Sequence, residues 1–266
     1  MRNPSLIARE FAEKGYSESC PVIDMHGHYG PYQGIYFPSP WAEGMIQTMD
    51  RCGVRLTVSS SHASLVDMDR GNSLMAEVVA SHPERFRGYW TINPNYPQKI
   101  ECDLERFESL NGFVGFKFHP EFHNYPLTGE RYKPALDYAN SKGLVILTHT
   151  WGTSPHCGPS LLRSLAERYP RVTFLMGHSG YGEWEVATSV ARDFPNVYLE
   201  LTAAYAIGGV IEFMVKETGS EKMIFGTDIP WFDPHYGIGC VIFSRITDED
   251  RHNILHRNAE RILGLT

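Results

Sequence analysis

The sequence predicts a single-domain (β/α)8 barrel of the TIM type, and three observations lead to that prediction. Short apolar runs alternate with helical patterns eight times along the 266 residues. The connections between the runs are long, as the crossovers between parallel strands must be. Single α/β barrels commonly run to about 250 residues, and no linker divides this chain. A doubly wound open sheet with extra strands is the alternative that the pattern leaves open.

The barrel is predicted to occupy residues 21–266 and to follow a helical extension at residues 1–20. The extension reads as a short amphipathic helix and lacks the continuous apolar stretch of a signal peptide, so we expect a cytoplasmic protein. Each predicted strand is rich in apolar or β-branched residues and is bounded by Gly, Pro or Asn. In order, the strands are residues 22–28, 55–61, 87–93, 113–119, 144–150, 172–179, 196–202 and 223–229.

The segments between the strands carry apolar residues at helical spacing, as at Leu74, Met75, Val78 and Val79. Three of the predicted helices end before a proline that precedes the next strand, in SHPERF, ERYPRV and RDFPNV. Segments 29–40, 120–134 and 229–240 are rich in Tyr, Pro and Gly. We predict that they are strand-to-helix loops, the connections that line active sites in barrels.

Charge and composition exclude several classes of partner. The net charge is −7 and lysine and arginine form no cluster, which argues against nucleic acid and anionic membranes. No apolar run is long enough to cross a bilayer. Five scattered cysteines form no C-x-x-C pair, so neither a thiolate zinc site nor a disulfide framework is indicated. We expect a small-molecule substrate, and the sequence leaves open whether copies of the chain form a homo-oligomer.

The stretch VIDMHGHYG, residues 22–30, places two histidines at the end of the first predicted strand. Side chains alternate along a strand, so Asp24, His26 and His28 are predicted to point the same way. Two neutral imidazoles that converge suit a divalent metal such as Zn, Fe, Mn or Ni. For an isolated pair, chance proximity in a loop is the alternative.

Polar residues at the ends of other predicted strands favour the metal site. Lys117 and His119 end the fourth strand, and His149, His178 and Asp228 end the fifth, sixth and eighth. The carboxyl ends of barrel strands form one rim around one cavity. We therefore expect these side chains to face a common site.

The motifs on these strand ends resemble the metal-dependent amidohydrolase superfamily, in particular its amidohydrolase family 2 branch. They are DMHGH, GFKFHP, LTHT, MGHSG and FGTDIP, and the closing NAERILGL is also typical of that branch. The similarity spans the chain from the first strand to the C-terminus. It implies a distorted (β/α)8 barrel with a divalent metal, which activates water for hydrolysis or, in some members, supports decarboxylation or hydration.

The resemblance also implies roles for individual residues. His26, His28, His149 and Asp228 are expected to hold one metal ion, with zinc as the expected element. Asp228 is also expected to handle protons, and His178 to polarise the substrate or move a proton. Both are therefore predicted catalytic residues.

Lys117 is the residue on which the number of metal ions depends. In two-metal members, the histidines of the fifth and sixth strands hold a second ion, and a carboxylated lysine of the fourth strand bridges the pair. The alternative, which we favour, is a salt bridge of Lys117 with Asp24 or with a substrate carboxylate. One ion is therefore expected, and two if Lys117 is carboxylated.

Four residues are predicted to bind substrate: Lys117, His119, Trp151 and Trp231. The two tryptophans suit the wall of a pocket for a flat or cyclic substrate, and ordinary loop packing is their alternative. Asp24 is predicted to orient a ligand histidine through its other ring nitrogen. Solvated or capping roles are predicted for the histidines in loops and in the last helix, namely His156, His235, His252 and His256.

The leading functional hypothesis is hydrolysis of a C–N or C–O bond in a small carbonyl compound. A divalent metal lowers the pKa of bound water from about 15.7 towards 7, an aspartate can take its proton, and a histidine can stabilise the resulting oxyanion. The alternative is a metal-dependent decarboxylase or other lyase for a small carboxylated cyclic or aromatic substrate. A third hypothesis is a non-catalytic scaffold, and the complete set of ligand positions argues against it.

Overall fold

Eight parallel strands form one sheet in the computed structural model, which describes residues 5–265. Each strand pairs with the next one along the chain, which is the order of a barrel. The strands are β1 (Val22–Tyr29), β2 (Val54–Ser61), β3 (Phe86–Thr91), β4 (Phe113–Phe118), β5 (Val145–Trp151), β6 (Thr173–Tyr181), β7 (Val197–Glu200) and β8 (Met223–Ile224). The predicted fold class is confirmed.

The barrel is closed by hydrogen bonds between β1 and the segment that follows β8, which we call the closing seam. The backbone N–H of Met25 donates to the carbonyl oxygen of Phe225 at 2.9 Å, and that of His28 donates to Ile229 at 2.7 Å. In the opposite direction, Asp228 N–H donates to the carbonyl of His26 at 2.7 Å. An open sheet has no such seam, so the doubly wound alternative is wrong.

The eighth strand is shorter than the sequence predicts. Only Met223 and Ile224 pair with β7, whereas the prediction extended to residue 229. Two local features end the ladder. A Cβ at Gly226 would lie 2.4 Å from the Glu200 carboxylate, so only glycine fits that approach. Asp228 has a φ of 60°, which takes the backbone out of the extended conformation.

Helices follow the strands and cover the outside of the barrel. They are α1 (Leu6–Lys14), α2 (Ala42–Cys52), α3 (Met68–Ser81), α4 (Pro97–Glu108), α5 (Lys133–Lys142), α6 (Leu162–Arg168), α7 (Trp184–Asp193), α8 (Val210–Thr218), α9 (Pro234–Phe243), α10 (Asp248–His252) and α11 (Asn258–Leu263), with a π-helical turn at Asn253–Arg257 between the last two. The predicted loop 229–240 is therefore partly helical, because Asp233 caps α9 by accepting from His235 N–H.

Apolar side chains form two layers of core. One lies inside the barrel and the other between the strands and the surrounding helices. The inner layer consists of Ile23, Met25, Leu56, Val58, Tyr89, Val145, Leu147, Leu175, Ile224 and Ala259. This layer fills the barrel interior, so the polar side chains at the carboxyl ends of the strands lie directly above a packed apolar core. Among residues 5–265, no helix combines the length and the apolar character needed to traverse a lipid bilayer.

Alanine at Gly71 in α3 is expected to lower the free energy of unfolding by about 1–3 kcal/mol, because overpacking forces neighbouring groups apart. A Cβ there would lie 2.0 Å from the backbone nitrogen of Ser64. Gly239→Ala in α9 is the matched control, since its Cβ would meet only the Phe11 ring at 3.6 Å. Helix propensity alone should make that control about 0.8–1 kcal/mol more stable. Urea unfolding measures both, and a Gly71→Ala protein as stable as the wild type would contradict the expected clash.

Candidate active site

A cavity of about 420 Å³ opens at the carboxyl ends of the strands. All but one of the predicted site residues line it, and the exception, His26, lies buried behind the wall. The lining residues are His28, Tyr32, His62, Leu65, Lys117, His119, Phe122, His149, Trp151, His178, Ala203, Asp228, Trp231 and Phe232. The sequence thus predicted the position of the site, while the roles of its residues stay predictions.

His26, His28 and Asp228 meet at the closing seam. Asp228 Oδ1 lies 3.0 Å from His26 Nε2 and 3.2 Å from His28 Nε2. The same oxygen is buried and makes no hydrogen bond of normal geometry within residues 5–265. The Asp228 oxygen and the two imidazole nitrogens therefore lie around one point, and the oxygen has no hydrogen-bond donor among the described residues. This arrangement is expected of a cation site.

Glu200, at the end of β7, holds His26 from behind and was not identified from the sequence. Its Oε2 accepts a hydrogen bond from His26 Nδ1 at 2.7 Å and from the His178 backbone N–H at 3.1 Å. Its Oε1 accepts from the N–H and hydroxyl of Thr202, at 2.7 and 2.6 Å. A carboxylate that accepts from Nδ1 leaves Nε2 of His26 with a free lone pair. That nitrogen lies 2.7 Å from Lys117 Nζ and 3.0 Å from Asp228 Oδ1. The signal in the sequence was a lone acidic residue within the apolar run VYLEL.

Asp24 does not have the predicted role. It accepts from the backbone N–H of His26 at 3.0 Å and from the N–H of Thr227 at 3.1 Å, and the Thr227 hydroxyl also bonds to it. These contacts fasten β1 to the segment after β8. The reason for the difference is a shift in the β1–β2 register between Asp24 and Gly27, which breaks the simple alternation assumed for this strand. Glu200 instead orients the histidine ring.

Lys117 is fully buried and its ammonium group lies 2.7 Å from His26 Nε2. It makes no ion pair with Asp24, because that carboxylate is occupied at the seam. Burial lowers the pKa of Lys117 to about 8, while Asp228 and Glu200 act to raise it. The group is therefore mainly charged at pH 7, and it places a positive charge in the floor of the cavity.

Both predicted catalytic residues have a backbone conformation that non-glycine residues rarely adopt. His178 has a φ of 63° and Asp228 a φ of 60°. Ser179 and Ala203, on the same rim, also have positive φ, at 51° and 62°. Such strain costs roughly 1–3 kcal/mol per residue and is typical of functional sites. The strained turns aim both side chains at one point, since His178 Nδ1 lies 4.0 Å from Asp228 Oδ2.

One side of the cavity is a stack of flat rings. His119 lies parallel to His149 at 4.2 Å between ring centroids, and Trp151 lies parallel to His149 at 5.9 Å. The ring of His178 meets His149 edge-on at 4.7 Å. His119 is fixed further because its Nδ1 accepts from the Phe122 backbone N–H at 3.2 Å. These contacts make a rigid wall suited to a planar ligand.

The opposite side of the cavity is built around His62. Its ring stacks on His28 at 4.7 Å between centroids, and its Nδ1 donates to the carbonyl of Gly30 at 2.7 Å. The Nε2 of this tautomer accepts from the Trp231 indole N–H at 2.8 Å. Tyr32 packs against both rings, at 5.5 Å from His62 and 5.1 Å from Trp231. His62 thus fixes the position of Trp231, which the sequence predicted as a pocket wall.

Burial sets the charge of the site. It lowers the pKa of His26 well below the ordinary value and lowers that of His28. Both rings are therefore neutral near pH 7 and can donate lone pairs to a metal. Burial alone would raise the pKa of Asp228, but the neighbouring rings of His26, His178 and His28 outweigh it and hold the pKa well below its usual value. The carboxylate is therefore ionised.

The residues available to a metal differ in one respect from the predicted set. His26, His178 and Asp228 offer ligand atoms within 4.8 Å of one another, and His28 joins them through Asp228. His149 lies outside that group of three and stacks against His119 instead. Nδ1 of His178 is buried without a hydrogen-bond partner in the described part of the chain, as an available ligand would be. Whether His149 or His178 is the fourth ligand stays a prediction.

Glu200→Gln is expected to weaken metal binding by about 10- to 100-fold, the usual effect of losing a partner that orients a ligand. An amide can still accept from His26 Nδ1, but it supplies no negative charge to increase the basicity of the ring. Glu185→Gln, on the exposed face of α7, is the matched control. The dissociation constant is measured by competition with a chelator. Equal metal affinities for the two variants would show that Glu200 does not support metal binding through His26.

Comparisons with known proteins extend over nearly the whole chain. A family model described as "Amidohydrolase" matches residues 23–265. A gamma-resorcylate decarboxylase from a Polaromonas species is 23% identical over an alignment of 274 positions, which covers 84% of this chain and 83% of the relative.

Solved structures share the fold. A 2,6-dihydroxybenzoate decarboxylase from Rhizobium superimposes with a TM-score of 0.74 at 16% identity, over 92% of this chain and 99% of the other. A 5-carboxyvanillate decarboxylase from Novosphingobium aromaticivorans, solved with manganese and a nitrobenzoic acid, gives 0.73 at 13% identity, over 95% and 97% of the two chains. Likeness at these identities establishes the barrel.

The leading hypothesis of hydrolysis is contradicted by these findings. The relative and both structural neighbours are named as decarboxylases, so the alternative drawn from the sequence fits better. The physical reason for the error is that hydrolysis and decarboxylation use the same rim of histidines and carboxylate. Zinc is also not supported, since the neighbour described above holds manganese.

Proposed function

Since the chain belongs to the amidohydrolase family, we propose that it is a metal-dependent decarboxylase for a small hydroxylated aromatic carboxylic acid. The proposal rests on two properties of the cavity, its flat aromatic walls and its positively charged floor. Flat aromatic walls, with Trp151 on one side and Trp231 on the other, rise from a floor that contains the Lys117 ammonium group. A ring with an attached carboxylate has these two properties, a planar apolar body and a negative charge.

The size of the cavity agrees with that class of substrate. Pockets for small molecules commonly measure about 300–1,000 Å³, and this cavity, at about 420 Å³, lies near the lower end. The relative and the neighbours act on single-ring acids, as their names state. A single substituted ring is therefore the proposed substrate, with its plane between the walls and its carboxylate towards Lys117.

A divalent cation fits the donor set of this site. His26, His28 and Asp228 would hold it, with His149 or His178 as a further ligand, and the unsatisfied Oδ1 of Asp228 supports that assignment. When bound, the cation supplies positive charge that holds substrate oxygen atoms and stabilises the electrons left by departing carbon dioxide. Manganese is the first ion to test, because a structural neighbour carries it.

The chain's own residues supply charge and a proton. The bond between the ring and the carboxyl carbon breaks, carbon dioxide leaves, and a proton takes its place on the ring carbon, so each turnover consumes one proton. Asp228 is the proposed donor, reloaded from solvent with His178 beside it. The Asp228 carboxylate is ionised at rest because its pKa is low, so it must take up a proton from solvent before it can donate one to the ring. The walls of the cavity exclude water around the ring.

The test is decarboxylation of 2,6-dihydroxybenzoate and 5-carboxyvanillate by the manganese-loaded enzyme. In deuterated water, the product is expected to carry one deuterium at the carbon that held the carboxylate, with carbon dioxide released in equal amount. In water enriched with heavy oxygen, the aromatic product should gain no solvent oxygen. A protein that leaves a panel of hydroxylated aromatic acids intact but cleaves amides or esters, with uptake of heavy oxygen, would contradict the proposal.

A further inference from the structure

A second cluster of metal-ligating side chains lies outside the cavity, at the other end of the barrel. Cys20 precedes β1, His252 ends α10, and His256 lies in the π-helical turn. Their ligand atoms lie within 4.8 Å of one another. Since Cys20 stands at the amino end of β1 and His28 at its carboxyl end, the length of the strand separates this cluster from the candidate active site.

The two histidines are arranged for a shared ligand. His252 Nδ1 lies 3.0 Å from His256 Nε2. On its other side, His256 Nδ1 donates to Glu260 at 3.0 Å, and Glu260 also pairs with Arg55 at 2.9 Å. This is the arrangement in which a carboxylate fixes the tautomer of a metal-ligating histidine and increases its basicity. His256 Nε2 therefore keeps its lone pair, which faces His252 Nδ1, and the Cys20 sulfur lies within 4.8 Å of the ligand atoms of both rings.

Cys20 completes the cluster with a thiol that the packing holds in place. Its side chain is 2% exposed. Burial raises its pKa to about 12, with Arg257 acting in the opposite direction. A metal ion binds the thiolate form of cysteine, so Cys20 would release a proton to solvent when a cation binds.

The backbone at the cluster is also unusual. Asn253–Arg257 is a π-helical turn between two α-helices. Such turns are rare and occur frequently at functional sites, because the additional residue in the turn changes the direction of neighbouring side chains. The solvated or capping roles predicted for His252 and His256 are wrong, since both take part in the hydrogen-bonded chain described above.

We propose that Cys20, His252 and His256 form a second metal site, selective for zinc, that fastens the segment before β1 to the last helices. One thiolate and two imidazoles are the donors that Zn²⁺ prefers, and the half-buried His252 leaves room for a water molecule as the fourth ligand. Binding forms one metal–sulfur and two metal–nitrogen bonds and releases the thiol proton to solvent. The proposal does not depend on the proposed decarboxylase activity.

Cobalt(II) titration of the metal-free, full-length protein tests this site. Only a sulfur ligand produces the near-ultraviolet charge-transfer band of a cobalt thiolate, and none of the candidate ligands in the cavity contains sulfur. The wild type is expected to show the band, to hold about two equivalents of metal, and to release a proton as the second site fills. Zinc added afterwards should remove the band by displacing cobalt.

Cys20→Ser is expected to lose the band and about one equivalent of metal. Cys52→Ser is the matched control, since Cys52 is equally buried and its thiol donates to the backbone carbonyls of Thr48 and Met49. The half-buried His252→Ala provides a second test that leaves the core intact, and it should also lose the band. No sulfur band in the wild type, or a band that persists in both Cys20→Ser and His252→Ala, would overturn the proposal.

Discussion

The double variant His26→Ala, His28→Ala is expected to lose its active-site metal and to fall in turnover by about 10³-fold or more, since several kcal/mol of charge stabilisation disappear with the ion. The two rings supply two of the nitrogen atoms that face Asp228 Oδ1. Alanine supplies no lone pair at either position. The remaining candidates, Asp228 with His149 or His178, are too few to hold a divalent ion firmly.

The barrel of this variant should remain folded, because rim residues contribute more to function than to packing. It should nonetheless be less stable, since Glu200 loses the N–H of His26 while buried, at a cost of about 1–3 kcal/mol. Metal content and turnover are measured together with circular dichroism. His62→Gln on the same rim is the control for metal content, since His62 is bonded to Gly30 and Trp231. Normal active-site metal binding by the double variant would refute the ligand assignment.

Asp228→Asn is expected to reduce turnover by about 10² to 10⁴, the usual contribution of a general acid or base. Asparagine has the shape of aspartate and keeps one oxygen for coordination, but it cannot carry the proton. The substitution also suits the backbone, because asparagine tolerates the left-handed conformation that Asp228 adopts, with φ of 60°. Loss of activity can therefore be ascribed to chemistry rather than to misfolding.

The measurement is turnover of Asp228→Asn alongside its metal content. Asp233→Asn is the matched control, since Asp233 lies five residues further along and caps α9 in a way that asparagine reproduces. The control should turn over at close to the wild-type rate. If Asp228→Asn holds metal and still works nearly normally, the proton-transfer role passes to His178, whose Nδ1 lies 4.0 Å from the carboxylate.

The position of the site could be predicted from the sequence because it depends on local patterns. Histidines at the ends of apolar runs must lie on the rim once those runs are parallel strands of a barrel. His28, His149, His178 and Asp228 confirm this, since all four line the cavity. The strand count and order followed from the same alternation.

Contacts between distant strands could not be predicted in this way. Glu200 reaches His26 across 174 positions of sequence, and that pairing depends on the closure of the barrel rather than on any local spacing. The positive φ at His178 and Asp228 is likewise imposed by the surrounding structure, because neither residue type favours it strongly enough to be predicted. The reaction was predicted wrongly because the ligands alone do not distinguish hydrolysis from decarboxylation.

The closing seam also determines when the proposed metal ligands come together during synthesis. Its hydrogen bonds join residues far apart in the chain, as Asp24 and Thr227 illustrate with a separation of 203 positions. A ribosome adds about 5–20 residues per second, so His26 and His28 wait roughly 10–40 seconds before Asp228 is made. During that interval the nascent chain offers only an incomplete set of ligands. With the proposed ligands, an active-site ion is therefore selected only by the finished barrel, after translation has passed the eighth strand.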